Sequence, residues 1–333
     1  MTGVAFALAA GILWGLVFVT PLLLPDYPAT LLSVARYLAF GLIALPLAVL
    51  DRRELARLTR ADWLEALRLA LVGNLLYYSF LAAAIQRAGG ALPTAIIGTL
   101  PVVIAIVSNL RGGGLGPGAR ALPWRSLAPS LLLIALGIAL VNQAELAALG
   151  HEAAQAPAQD AAVRTRYALG ALLAIGAVAC WTWYPIRNAD WLRRHPDRSP
   201  RAWATAQGVA TLPLALLGLG GLWGWQLAAP GDFAMPLGPD PLRFVGLMLA
   251  MGLLASWLGT LCWNEASQRL PTTLAGQLIV FETLAALAYV FALRGRWPEP
   301  AVALGIVLLV AGVAWAVRAA TPAARSAQAT RAA

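Results

Sequence analysis

Aromatic side chains recur inside the apolar segments of this sequence, where they could stack on a ligand. Ring faces bind apolar or aromatic groups and attract an ammonium with about 0.5–2 kcal/mol each. The alternative interpretation is packing between helices or against lipid. The residues concerned are Tyr77, Tyr78, Trp181, Trp183, Tyr184, Trp257 and Trp263.

Three charged residues also fall inside apolar segments, where an ionised group is costly. Glu282 lies deepest, and two accounts of it stay open: a protonated carboxyl that donates one hydrogen bond, or a group that binds a ligand or a coupling ion. Arg36 lies two turns into its segment, and we favour outward snorkelling over carboxylate binding. Glu265 is spaced to pair with Arg269 one turn later.

Uncharged polar residues share these segments. Asn74, Asn264 and Gln277 could bind the termini of a zwitterion, although hydrogen bonding between helices is the favoured interpretation. Asn74, Arg36 and Glu282 are the candidate polar contacts of a ligand.

The composition excludes a soluble protein and several enzyme classes. The chain is 60% hydrophobic and 12% charged, against about 45–50% and 25% in soluble domains. All 24 basic residues are arginine, so a P-loop ATPase and Schiff-base catalysis lack their lysine. The arginines flank apolar segments, which indicates membrane insertion rather than nucleic-acid binding.

The cysteines and histidines predict no metal site or disulfide framework, and no cofactor is expected. Cys180 and Cys262 lie in apolar segments, while His151 and His195 lie in separate polar connectors. The N-terminal segment lacks a basic region and a cleavage site, so we interpret it as a retained first helix.

The apolar segments predict ten transmembrane helices, because a bilayer core of about 30 Å requires about 20 residues of helix. The fold class is therefore all-α integral membrane. The predicted helices span about 3–24, 29–50, 63–86, 91–110, 125–144, 166–188, 203–224, 243–266, 272–293 and 300–318.

The charges of the connectors predict the orientation. With the N-terminus in the cytoplasm, most connector arginines, such as Arg52, Arg53 and Arg57, are cytoplasmic, and the acidic connector from Glu145 to Asp160 is external. Basic connectors stay on the cytoplasmic side. We therefore predict a multi-pass protein of a bacterial inner membrane with both termini in the cytoplasm.

The two halves of the chain contain similar short segments in the same order. Ala135-Leu136-Gly137-Ile138 recurs as Ala303-Leu304-Gly305-Ile306, and Leu45-Pro46-Leu47-Ala48 recurs as Leu212-Pro213-Leu214-Ala215. Five helices per half is an odd number, so the second half must insert upside down. We predict inverted five-helix repeats at residues 1–150 and 163–320, around a central cavity, and a disordered tail at 321–333.

The sequence resembles the drug/metabolite transporter superfamily, in its branch of ten-helix EamA-type exporters, and is most similar there to bacterial aromatic amino-acid exporters. Thr283 stands where such proteins often have proline. The resemblance implies alternating access to a cavity lined mainly by helices 1, 3, 4, 6, 8 and 9. It covers about residues 3–318 and depends on Trp14-Gly15, Phe18, Arg36, Ala84 to Arg87, Leu100-Pro101, Trp181, Ala266 and Glu282.

These observations predict a secondary transporter that exports neutral amino acids or similar small metabolites without an ATPase partner. Export of drugs or nucleotide sugars is the rival; an integral-membrane enzyme or a passive scaffold is disfavoured. The first and sixth helices contain no acidic residue, which favours facilitated efflux over proton coupling. The oligomeric state is left open, with a monomer as the simplest case. The predicted substrate-binding residues are Trp14, Asn74, Tyr77, Tyr78, Trp181, Trp183, Tyr184, Trp257, Trp263 and Glu282.

Overall fold

The described residues of the computed structural model, 2–88, 91–112, 123–143, 161–229, 231, 233–295 and 297–332, form helices and contain no strand. Nine of their helices are long and apolar enough to cross a membrane. A further helix, α4, consists of two shorter pieces. The helices are α1 Thr2–Leu23, α2 Ala29–Leu50, α3 Arg60–Ile85, α4 Ala91–Ile97 with Leu100–Leu110, α5 Trp124–Val141, α6 Thr165–Arg194, α7 Pro200–Ala228, α8 Pro241–Arg269, α9 Thr272–Leu293 and α10 Pro300–Ala319.

This architecture confirms the all-α integral membrane prediction. The count of ten crossings stays a prediction, because each piece of α4 is shorter than the roughly 20 residues that a bilayer requires. The acidic connector from Glu145 to Asp160, which includes His151, lies outside the described residues, so its position is untested.

The disordered tail at 321–333 stays a prediction. The last helix continues as Pro300–Ala332. This part of the chain is rich in alanine, which has the highest intrinsic helix propensity.

Several helices depart from regular α geometry near the middle of the bundle. Helix α3 contains a π-helical turn at Leu71–Leu76, and α8 contains one at Gly252–Leu258. Helix α1 has a 3-10 turn at Leu16–Phe18 just before Pro21, whose ring removes a backbone donor. Turns of this kind are frequent at functional sites. Both π turns lie beside the cavity described below.

The packing of the bundle pairs helices from opposite halves of the chain. The main contacts join α1 to α8, α2 to α7, α3 to α6, α4 to α9 and α5 to α10. Every pair takes one helix from each predicted repeat, so the halves interdigitate. The inverted relation of the two repeats stays a prediction.

Helices α5 and α10 meet through the similar segments that suggested the repeat. A Cβ atom on Gly137 would lie 2.9 Å from the carbonyl oxygen of Gly305, and a Cβ on Gly305 would lie 2.9 Å from the carbonyl oxygen of Gly137. Small residues permit such backbone contact between membrane helices. The two glycines are therefore required by the close approach of α5 and α10.

We expect Gly137→Ala to destabilise the protein by about 1–3 kcal/mol, because the added methyl group overpacks this contact. Gly220→Ala is the matched control, since a Cβ there meets nothing within 4 Å. The control should be neutral or slightly stabilising, because alanine favours helix over glycine. Thermal unfolding in detergent measures both. Equal melting temperatures for the two variants would contradict the assigned contact.

Candidate functional site

A cavity of about 490 Å³ lies among the helices of the bundle. This volume is in the range of small-molecule sites, roughly 300–1,000 Å³. The walls come from α1, α2, α3, α8 and α9, with smaller contributions from α4, α5, α6 and α7. Helix α2, which the family resemblance did not include, supplies a large part of the wall through Ala29 to Phe40.

Stacked aromatic rings form the deep end of the cavity. The ring of Trp181 stacks on Tyr77 at a centroid distance of 5.0 Å and on Tyr184 at 5.3 Å. Trp14 meets Trp181 edge-on at 6.1 Å. Because α3 and α6 pack together, rings distant in sequence join in one group. The group offers a ligand an apolar, polarisable surface.

Most of the predicted site residues share this cavity, and three do not. The aromatic residues that line it are Trp14, Tyr77, Tyr78, Trp181 and Tyr184, and the polar ones are Asn74 and Glu282. The three residues placed elsewhere are Trp183, Trp257 and Trp263.

These three indoles pack between helices and lie outside the cavity lining, so they form no part of the site proposed below. Trp183 is two residues from Trp181 and so faces the other side of α6, against a cluster around Leu69. Trp257 donates from Nε1 to the hydroxyl of Thr205 at 3.2 Å. Trp263 is 1% exposed and lies behind Trp14.

Arg36 lines the cavity, which corrects the predicted outward snorkelling. Its Nη2 donates to the hydroxyl of Tyr37 at 2.5 Å, and its Nε is buried without a hydrogen-bond partner. The guanidinium forms no ion pair with a described carboxylate within 4.0 Å. A buried donor with no partner is costly, so this cation is available to an anionic ligand group.

Glu282 also lines the cavity, in the first turn of the helical piece Val280–Arg294. Its carboxylate makes no ion pair or hydrogen bond with the described residues, and Arg36 is the cation that acts on it electrostatically. The described residues therefore offer no acceptor to a protonated Glu282 that would donate a hydrogen bond inside the bundle. Arg36 and Glu282 are the charged side chains in the described lining.

Other polar residues connect the helices as predicted for membrane proteins. Gln277 accepts from Ser130 at 2.9 Å, and Asn264 accepts from Asn188 at 2.9 Å. Asn74 lies in the lining and donates to Thr211 at 3.4 Å. The predicted pair of Glu265 and Arg269 is confirmed.

Sequence reasoning missed several lining residues. Gln207 accepts from the Tyr184 hydroxyl at 3.0 Å, and Ser256 has a buried hydroxyl without a partner. Tyr37 and Thr260 also line the cavity. Polar residues within an apolar segment were the available signal, but lone hydroxyls and amides are common in membrane helices.

Comparisons with known proteins agree with this architecture. Residues 1–143 match the model of the EamA-like transporter family. The chain is 51% identical over 323 residues to the inner membrane protein YtfF of Escherichia coli (strain K12), covering 96% of each chain. This chain belongs to the EamA-like transporter family. A crystal structure of a protein that is 19% identical shares the fold of this EamA-like transporter, with a TM-score of 0.68 over 94% of this chain and 96% of that chain.

Membership of the EamA-like transporter family gives the cavity a general role. The protein is a membrane transporter of small molecules. The finer similarity to aromatic amino-acid exporters stays a prediction, because the family does not specify a substrate. The substrate of this EamA-like transporter depends on the chemistry of the cavity and not on the fold.

Proposed function

We propose that this protein exports neutral amino acids, in particular those with aromatic side chains, across the inner membrane by alternating access. The observation that carries the proposal is the charge content of the cavity. One guanidinium and one carboxylate, not paired with each other, lie in a described wall that is otherwise uncharged and includes eight aromatic residues.

The two charges match the two ends of a zwitterion. Arg36 suits a carboxylate, because a guanidinium presents several donors in a planar fork. Glu282 suits an ammonium, which the neighbouring ring of Tyr77 also attracts. The stack of Tyr77, Trp181 and Tyr184 then receives the side chain of the substrate.

The same charge count argues against nucleotide sugars. A diphosphate carries two negative charges, whereas the described lining offers one cation and one carboxylate. Placing such a ligand beside Glu282 brings like charges together and leaves a phosphate charge unpaired. Apolar drugs without charge leave both Arg36 and Glu282 desolvated and unpaired, which is also costly.

Counterflow in proteoliposomes tests the proposal with three matched compounds. Phenylalanine carries both charges, phenylalaninamide lacks the carboxylate, and 3-phenylpropionate lacks the ammonium. We expect unlabelled phenylalanine inside the vesicles to drive accumulation of labelled phenylalanine, and the other two compounds to drive little. Equal exchange of all three compounds, or exchange with a nucleotide sugar alone, would contradict the proposal.

A further inference from the structure

The ion pairs of the described residues lie at one end of the bundle. This is the end where α2 finishes and α3 begins, and where α6 finishes and α7 begins. The arginine distribution predicts that it faces the cytoplasm. In two of these pairs, a carboxylate of the first half of the chain meets an arginine of the second half: Glu65 with Arg187, and Asp51 with Arg201.

The pair of Glu65 and Arg187 is the most enclosed link between the halves. Arg187 donates from Nε to Oε1 at 2.5 Å and from Nη2 to Oε2 at 3.2 Å. The Glu65 side chain is 7% exposed and that of Arg187 is 35% exposed. Asp51, 10% exposed, lies 3.2 Å from Arg201 and accepts from Thr205 at 2.8 Å. Each pair joins a helix of the first half to a helix of the second.

Two further pairs join the halves with the opposite polarity. Arg111 donates to Asp190 at 3.0 Å, and Arg57 donates to Asp197 at 2.9 Å. Asp62 accepts from the indole of Trp191 at 2.9 Å, which adds a buried hydrogen bond between the halves. The two halves are thus held together at this end by charges from both of them.

The cavity extends to the opposite end of the bundle. Its lining reaches Ala29 at the beginning of α2, Asn142 just after α5, and Val290 near the end of α9. Toward the ion pairs it is closed by the rings of Trp181 and Tyr184. On the side of these rings that faces the ion pairs, Gln207 donates to Asn188 at 3.2 Å. This hydrogen bond also helps to close the cavity toward the ion pairs.

From these observations we infer that the structure is the outward-open state and that Glu65–Arg187 and Asp51–Arg201 form its cytoplasmic latch. The inference rests on the proposed alternating-access transport. In both pairs the carboxylate is buried and the guanidinium is partly exposed. Such a pair suits a reversible latch, because the desolvation cost of the carboxylate offsets part of the attraction between the charges. Water that enters on opening rehydrates the buried carboxylates, so the two states stay close in free energy.

Side-specific thiol labelling tests the latch without any substrate. Thr283, in the cavity lining, is replaced by cysteine in a Cys180→Ala/Cys262→Ala background, which removes the free thiols of the chain. A membrane-impermeant maleimide is then applied to right-side-out and inside-out vesicles. The unlatched variant carries Glu65→Gln, Arg187→Gln, Asp51→Asn and Arg201→Gln, and therefore leaves no carboxylate of these pairs without its cation.

We expect the parent to label from the external side, and the unlatched variant to shift the ratio of external to cytoplasmic labelling about tenfold toward the cytoplasm. Arg68→Gln is the matched control: Arg68 approaches the same Glu65 at 3.7 Å but belongs to the same helix. The control should label like the parent.

The charge-reversed pair Glu65→Arg/Arg187→Glu, with Asp51 and Arg201 intact, should label largely like the parent.

Three outcomes would overturn the latch: a parent that labels from the cytoplasmic side, an unlatched variant with the parental ratio, or a control that shifts as far as the unlatched variant. A variant that fails to fold is recognised by its melting temperature. In that case the charge-reversed pair is the deciding variant. A preference for external labelling in the charge-reversed pair supports the latch, and the loss of that preference contradicts it. Failure of amino-acid counterflow leaves this result unaffected.

Discussion

Replacing Arg36 by glutamine should weaken the apparent affinity for phenylalanine roughly 10- to 150-fold, because the substrate carboxylate loses charge-assisted hydrogen bonds of about 1.5–3 kcal/mol. Arg36 lines the cavity with its Nε unpartnered. Its removal therefore breaks no described ion pair, and the melting temperature should hold. Exchange half-saturation in proteoliposomes measures the effect.

Two controls separate this role of Arg36 from a general effect of charge. Arg243→Gln removes an exposed arginine at the beginning of α8, outside the cavity lining, and should transport normally. Arg36→Lys keeps the charge but loses the planar fork, so it should recover only part of the affinity. Unchanged affinity in Arg36→Gln would remove the carboxylate contact from the proposal.

Replacing Glu282 by glutamine should lower the affinity for phenylalanine by a similar factor, roughly 10- to 150-fold, because the ammonium loses its ionic partner. Transport of 3-phenylpropionate, which lacks the ammonium, should not fall and can rise, since the repelling carboxylate is gone. Half-saturation of exchange with each compound is the measurement. A fall for both compounds alike would indicate a structural role instead.

The same variant distinguishes ligand binding by Glu282 from proton coupling. We expect wild-type transport to show no accumulation when a pH gradient is imposed. Helix α1 contains no acidic residue, and the single acidic residue of α6, Asp190, is ion-paired with Arg111 and Arg193 near the end of that helix. If the wild type accumulates substrate under the gradient and Glu282→Gln exchanges but does not accumulate it, Glu282 carries the coupling proton, and facilitated efflux is wrong.

Much of the fold could be predicted from composition and spacing alone. Apolar segments of membrane length are required because lipid offers no hydrogen-bond partner to an open backbone. The same constraint makes intramembrane charge expensive, so Arg36, Glu265 and Glu282 could be singled out by cost. Cost did not separate their roles: Arg36 was expected to snorkel outward, yet it lines the cavity with Glu282.

The rotation of each helix could not be predicted in this way. In a soluble protein, the polar side of a helix faces water and so identifies the buried side. Lipid is as apolar as the protein interior, so a membrane helix gives no comparable signal. Trp181 and Trp183 are equally apolar and lie in the same segment, yet only Trp181 lines the cavity.

The sequence by itself determined that this chain is an all-helical membrane protein, and that three of its charged residues lie in apolar segments. Only the tertiary structure decided which of its residues meet. Packing of α3 on α6 brings Tyr77 to Trp181, and packing of α2 on α7 brings Asp51 to Arg201. Such contacts depend on shape and hydrogen bonding between distant helices, and these properties are absent from the local hydrophobic pattern.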